Sequence, residues 1–499
     1  MMDTNTIALA AGRQLFIDDA LISRTSLQRK FHTPQWYGSG PVLSPQTEAE
    51  LDGGHCPVAT PFQDGVFYDP LAGHFKMYYM AGWMGGTGLA ISQDGINWVR
   101  PDFGIVPGTN LILPPTYPFI RDGASMWMDH ETTNPAERYK MFMYFRKVQR
   151  PDAGYCSAGI PHEYALARIY TSPDGIRWTD RGETGECGDN TSFFYNSFRR
   201  SWFYSVRVNA KDKRARSYRE AADFVAGRHW TEDDLVLFSE VDTDDLADPV
   251  VGEPAQMYNV DAVAYESVML GLFAVHRGPS NPECFERGIP KITDLELGFS
   301  RDEGMTWARP DRGGFLNCTR EEGDWNSGYL HASSGVCLVV RDKLHFYVGA
   351  FSGVSPKLGR HYYAGGSTGL ATLRRDGFAS MSGNGELVTK PVTVERPFLF
   401  VNADASHGQL RVSVLDRQGN ELPGFSEADC RPLTGSEVTQ QVSWSSRRSL
   451  GELQGQDVRI KFQQNASDLY AFWFSPSERG ESLGFVAAGG PEFRGAVDA

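Results

Sequence analysis

Residues 64–80 read DGVFYDPLAGHFKMYYM, and residues 122–144 read DGASMWMDHETTNPAERYKMFMY. Each opens on Asp-Gly, crosses a short apolar run, reaches an acidic turn and returns through an aromatic-rich strand. Two strands of about five to eight residues around a turn are the pattern of a hairpin. It recurs in DNTSFFYNSFRRSWFYSV (189–206), which turns at Asn196-Ser197, and in DAVAYESVMLGLFAV (261–275), which turns at Glu266-Ser267. A looser copy, HASSGVCLVVRDKLHFYVGAF (331–351), turns at Arg341-Asp342-Lys343.

A second element follows most hairpins: GLAISQDGINW (88–98), YALARIYTSPDGIRW (164–178), LELGFSRDEGMTW (295–307) and, decayed, GLATLRRDGFAS (369–380). The third repeat offers only EAADFVAGRHW (220–230). The shared Ser-x-Asp-Gly-x-x-Trp predicts a strand entering an Asp-Gly turn. The Asp accepts backbone N–H bonds there, and the Trp plugs the apolar side. Four strands per unit, with five units of about 50–80 residues, indicate repeats that bury their faces only by packing on one another. The expected fold is all-β: a five-bladed β-propeller over residues 1–387, followed by a small β-sandwich. The segment RQLFIDDALI (13–22) is assigned by position to completing the last blade.

Composition sets bounds. A chain of 499 residues, 41% hydrophobic and 12% aromatic, can bury a large core, and 53 Gly with 28 Pro suit many tight turns. A net charge of −14 argues against a nucleic-acid or anionic-membrane partner. The longest apolar runs, such as VMLGLFAV (268–275), are too short to span a bilayer. The opening MMDTNTIALAAGRQ lacks a basic start followed by a long apolar stretch, so no signal peptide is expected. Seven cysteines (Cys56, Cys156, Cys187, Cys284, Cys318, Cys337 and Cys430) are scattered and never in CxxC spacing. Reduced, buried thiols are expected, which favours the cytoplasm.

Past residue 387 the pattern changes. QLRVSVLD (409–416), DVRIKF (457–462) and DLYAFWF (468–474) alternate apolar and polar residues as half-buried strands do. Residues 388–499 are assigned to the sandwich, with a tail, GGPEFRGAVDA (489–499), that has little to bury and is expected to be flexible.

In a propeller the first strand of each blade lines the axis, and its start shares one mouth with the end of the second strand. Asp64, Asp122, Asp189 and Asp261 start those strands, so four carboxylates are expected at one funnel. Their repulsion and burial would separate their pKa values, as general acid–base cleavage of a glycosidic bond requires. The alternative for any one of them is a cap on a strand start. Arg146, Arg207 and Arg277 close second strands and are candidates to bind an acidic group, or else to neutralise the aspartates. Trp83, Trp127, Tyr258 and Trp325 are candidates to stack on a sugar, with core packing as the alternative. His331 starts the fifth inner strand and is a candidate to orient a carboxylate or water. Asp69, Asp129 and Glu266 are read as turn formers on the opposite face, and Asp94, Asp174 and Asp302 as structural. No zincin helix, Walker loop, dinucleotide fingerprint or GxSxG elbow is present.

These hairpin repeats, with Asp at the inner strand starts, resemble the five-bladed propeller glycoside hydrolases of families 43, 32, 68, 117 and 130, over residues 13–387. The appended sandwich is similar to the C-terminal module of family 32. The resemblance implies a base or nucleophile on blade one, an aspartate that orients substrate or tunes pKa on blade two, and an acid on blade three. By position these are Asp64, Asp122 within Arg121-Asp122, and either Glu186, from a Glu186-Cys187 pair like that of family 32, or Asp189. The family 32 nucleophile motif is absent from blade one. The expected function is a glycoside hydrolase with a carbohydrate substrate, an anionic, uronate-like sugar being one option, and with no cofactor. A structural Ca²⁺ among the channel carboxylates is compatible with these residue types. The alternatives are a non-catalytic carbohydrate-binding propeller, and a polysaccharide lyase or sialidase-like enzyme in which Arg neutralises a uronate and a Tyr or His acts as base.

Overall fold

The computed structural model describes residues 6–148 and 162–499. Five antiparallel sheets stand around an axis, each entered from its innermost strand. Blade 1 is Ala59–Asp69, His74–Ala81, Gly86–Ser92 and Leu111–Leu113. Blade 2 is Phe119–Met128, Tyr139–Val148, His162–Ser172 and Thr179–Glu183. Blade 3 is Ser192–Asn196, Ser201–Ala210, Lys213–Ala221 and Val236–Ser239. Blade 4 is Gln256–Glu266, Val268–Gly278 and Ile292–Ser300. Blade 5 is Gly328–Ala332, Lys343–Phe351 and Gly366–Arg374, with its outer strand supplied from far upstream by Gln35–Trp36. Ring closure is thus made some twenty residues later than the sequence suggests. The 13–22 segment pairs instead with the sandwich, Gln14 opposite Phe472 and Ile22 opposite Thr389.

The Ser-x-Asp-Gly turns explain why the blades stack in order. Asp94 Oδ1 accepts the N–H groups of Ile96 and Asn97 at 2.8 Å each, and Gly95 takes the left-handed φ of +73° that the turn requires. Tyr347 of blade 5 donates to the Gly95 carbonyl at 2.6 Å, and Trp98 packs edge-on against Tyr347. In blade 2 the equivalent turn receives Lys76 of blade 1 on the Asp174 carbonyl at 2.9 Å, while Trp178 meets Tyr78. Each such turn therefore joins neighbouring blades as well as ending a strand. The acids of the opposite face are ion-paired: Asp69 with Arg138 and Lys76, Asp129 with Lys140, and Glu266 with Arg375.

Midway along the axis, hydroxyls stitch the inner strands together. Ser125 of blade 2 meets Ser334 of blade 5 at 2.7 Å, Ser334 donates to the Gln63 carbonyl of blade 1 at 2.7 Å, and Ser192 donates to the Val260 carbonyl of blade 4 at 3.1 Å. These bonds leave the mouth as a funnel with a floor.

The sandwich is organised by one long bent strand, Asp457–Ser475, which pairs with Ala379–Thr389, Phe398–Asp404 and Gln409–Leu415. Phe16, Val401, Val412, Trp444, Ile460 and Phe472 fill its core. The tail expected to be flexible is ordered, because it has partners that the sequence pattern does not show. Within it, the Gly489 carbonyl accepts from Val339 at 2.9 Å, Val497 bridges Phe485, and Asp498 holds Arg375 at 2.8 Å. Just ahead of it, Phe485 and Val486 pair with Glu266 and Tyr265, and Ala488 donates to the Cys337 carbonyl. The segment thus caps the far end of the axis between blades 4 and 5, and Phe198 of blade 3 packs on Phe485. Deleting residues 484–499 is expected to destabilise the propeller by about 3 kcal/mol or more, since it strips partners from buried charges. A thermal melt of the shortened chain checks this, and an unshifted midpoint would count against it.

Five cysteines are free thiols, whereas Cys56 is disulfide-bonded, contrary to the expectation of reduced thiols throughout. Cys156 lies outside the described residues.

Candidate functional site

At the mouth, Asp122 and Asp189 come together through one arginine. Arg146 Nε lies 2.5 Å from Asp122 Oδ2, and its Nη2 lies 3.2 Å from Asp189 Oδ2. Arg207 Nη1 reaches Asp189 Oδ1 at 2.9 Å, an ion-pair contact whose angle is too poor for a hydrogen bond. Below this row sit Tyr258, expected as a sugar-stacking residue but buried, and three residues that the sequence reading passed over, Tyr329, Lys291 and Arg214. Tyr258 and Tyr329 share a hydrogen bond of 2.7 Å, and Lys291 Nζ stands 3.5 and 3.4 Å from their two oxygens. The Arg214 guanidinium lies 4.8 Å from the Tyr258 ring centre. Trp83 stacks on Tyr363 at 3.8 Å.

The electrostatics follow from this crowding. Burial alone would raise the Asp189 carboxyl, but Arg214, Arg207, Arg146 and Lys291 outweigh it and hold the group below the ordinary aspartate value. Burial likewise opposes ionisation of Tyr258, yet Lys291 and Arg214 bring its phenol below the ordinary value. Burial and the neighbouring Tyr258 push Tyr329 the other way. His331 is buried against Phe62 and Tyr329, with no hydrogen-bond partner for either ring nitrogen among the described residues, and burial keeps it neutral.

Other expected members lie elsewhere. Asp64 is fully buried and bound bidentately by Arg121, at 2.9 and 3.1 Å, between blades 1 and 2. The cause is local: the pairing register of its strand jumps between Thr60 and Gly65, and Gln63 takes a φ of +71°, so the Asp64 side chain turns off the axis. Both its oxygens are committed to Arg121, so the structure places Asp64 apart from the Asp122–Asp189 pair, not beside it at the mouth as expected. Asp261 lies in mid-strand under the floor, accepting from Asn259 at 2.6 Å. Burial, partly offset by Arg216, pushes its carboxyl up to about 8.

Asp261 carries a stability consequence. A carboxyl with a raised folded pKa contributes most below its unfolded value near 4, and that contribution is lost as pH rises towards 8. Asp261→Asn is therefore expected to flatten the fall of stability between about pH 4 and 8. Urea midpoints across that range are the check, and an unchanged slope would count against it.

Arg277 belongs to a separate ion-pair network, with Asp294 at 3.1 Å and Glu296 at 2.8 Å, extended by Arg309 and Arg320. Trp127 is near the opposite end of the inner strand, against Phe67 and Trp202, since five extended residues separate it from Asp122 by about 16 Å. Trp325 packs edge-on against Trp36 in the closing strand of blade 5. Glu186 is exposed and faces a cleft beside the mouth. Among the described residues no cluster of three or more His, Cys, Asp and Glu is placed to hold a metal ion.

Arg214 and Lys291 had a legible signal. A third strand starts at the same mouth where the second ends, and Arg214 lies opposite Asn209, two residues past Arg207, while Lys291 immediately precedes its third strand. Tyr329 sits two residues before His331.

No family model matches the sequence, and no curated protein matches it. Solved structures do. The chain is similar to a thermostable family-43 glycoside hydrolase (11% identity, 63% of this chain and 92% of that one, TM-score 0.40). It is also similar to a fructofuranosidase from Schwanniomyces occidentalis complexed with fructosylnystose (11%, 89% and 98%, 0.38). A third is a mannose phosphorylase from Leishmania mexicana in complex with phosphate ion (10%, 68% and 89%, 0.40). The five-bladed β-propeller expected from the hairpin repeats is read from the chain's own five sheets.

Proposed function

We propose that this chain is a glycoside-processing enzyme that cleaves a glycosidic bond next to an acidic sugar. The observation that carries this is a gathering of cations at the mouth: among the described residues, Arg146, Arg207, Arg214 and Lys291 surround Asp122 and Asp189. Four cations on a polar floor suit a carboxylate-bearing ring, with Trp83, fully buried under Tyr363, as packing behind the wall. Asp189, kept ionised by its neighbours, acts as base or nucleophile. Asp122 fixes Arg146, and Glu186 at the adjoining cleft is the proton donor to the leaving oxygen.

A second reading, β-elimination, is favoured by the Tyr258–Tyr329 pair. One phenol is eased towards ionisation by Lys291 and Arg214 and its partner is kept protonated, which provides a base and an acid 2.7 Å apart.

The test is a panel of neutral and uronate-bearing glycosides, read by reducing ends and by ultraviolet absorbance. Reducing ends without absorbance, on acidic substrates only, support hydrolysis. Absorbance from an unsaturated uronide supports elimination. Turnover confined to neutral glycosides, or binding without turnover, defeats the proposal.

A further inference from the structure

Beside the mouth, on blade 3, an open cleft of ≈ 850 Å³ is lined by Glu186, Arg207, Asn209, Trp230, Glu232 and Asp233, among others. Its inner wall is the same Arg207 that pairs with Asp189, so cleft and mouth share a side chain. The wall is closely fitted. A Cβ on Gly185 would stand 2.5 Å from Trp230 Cδ1, and one on Gly188 would stand 2.2 Å from Arg207 Cδ. Only glycine at both ends of Gly185-Glu186-Cys187-Gly188 lets the indole and the guanidinium close on the loop. Trp230 Nε1 then donates to the Glu186 carbonyl at 2.8 Å. On the outer side, Asp234 caps the turn through the Thr231 N–H at 2.9 Å, which leaves Glu232 and Asp233 exposed.

The charge here is the reverse of that at the mouth. Three carboxylates face one guanidinium that is already committed to Asp189, and none of the three forms an ion pair among the described residues. Carboxylates and an amide accept and donate to hydroxyls, so the lining suits an uncharged, hydroxyl-rich ring. A second acidic ring would meet like charge there. Trp230 is only 6% exposed and serves as wall rather than stacking platform.

Resting on the acidic-sugar reading above, we infer that this cleft is a subsite for a neutral sugar adjoining the acidic unit held at the mouth. The substrate is then a heteroglycan in which acidic and neutral sugars are neighbours, and a homopolymer of uronates is a poor ligand.

Isothermal titration of the full chain with three oligosaccharides of equal length tests this: all-neutral, all-uronate and alternating uronate–neutral. A single uronate glycoside is the fourth ligand. The alternating oligosaccharide is expected to bind at least about ten-fold tighter than any of the others. The double variant Glu232→Gln/Asp233→Asn, both exposed and outside the proposed chemistry, is expected to bring the all-uronate ligand within about three-fold of the alternating one. All-uronate or single-uronate binding as tight as alternating binding in the unaltered chain overturns the subsite and leaves the acidic-sugar reading standing. Failure of every uronate ligand to bind overturns both.

Discussion

Asp189→Asn is expected to lower kcat on an acidic glycoside by about 100- to 10,000-fold, the range for loss of a positioned base. KM should fall or stay level. Removing the carboxylate leaves Arg146 and Arg207 without their shared counter-charge, and both then have more attraction to offer an anionic ring. A combination of lost turnover and retained or tighter binding separates chemistry from folding, because a merely misfolded variant loses both in proportion. Steady-state kinetics with the active fraction determined by titration provide the measurement. A kcat within two-fold of the parent would remove Asp189 from the reaction. The companion change Arg146→Lys keeps charge but loses the planar fork that holds Asp122 and Asp189 together, and should raise KM more than it lowers kcat.

The second large effect concerns stability. Asp64→Asn or Arg121→Ala breaks a fully buried bidentate pair and leaves an uncompensated charge, at an expected cost of about 3–5 kcal/mol. Replacing both partners at once with apolar residues of similar size, Asp64→Leu with Arg121→Met, should recover most of that loss. Arg121 also holds Thr87 of blade 1 at 2.9 Å, so the pair fastens two blades together. Denaturant midpoints for the two single variants and the double variant check the cycle. If Asp64→Asn abolishes turnover with no change in midpoint, the carboxylate has a chemical role that its place between blades does not suggest.

The repeats were legible because each blade repeats its own local chemistry. Asp-Gly turns, alternating apolar strands and Ser-x-Asp-Gly-x-x-Trp are written within short windows, and blade order follows from them. What crosses long sequence distances was not legible. The pairing of Gln35–Trp36 with Ala371 and Thr372, and the docking of Phe485–Val486 beside Glu266, leave no pattern in either partner alone. The site was half legible for a related reason. Position along a strand correctly brought Asp122, Asp189, Arg146 and Arg207 to one mouth, because topology fixes which end of a strand is where. It did not fix which way a side chain turns. One register jump redirected Asp64, and strand facing sent Arg277 into the Asp294–Glu296 network. Lys291 and Arg214 were missed by attending to the first two strands of each blade when the third begins at the same rim.

The order in which a ribosome delivers this chain gives the docked segment at 485–498 a further meaning. When the inner strand of blade 5, Gly328–Ala332, has emerged, the far end of the axis still lacks its cover, which arrives more than 150 residues later. Until then Cys337 and the edge of Tyr265–Glu266 have no backbone partner from that segment. The nascent blades must wait, with exposed strand edges that invite mispairing or chaperone capture. Native structure should therefore arrive late and all at once, with protease resistance of the blades appearing only after the last of those residues has left the exit tunnel.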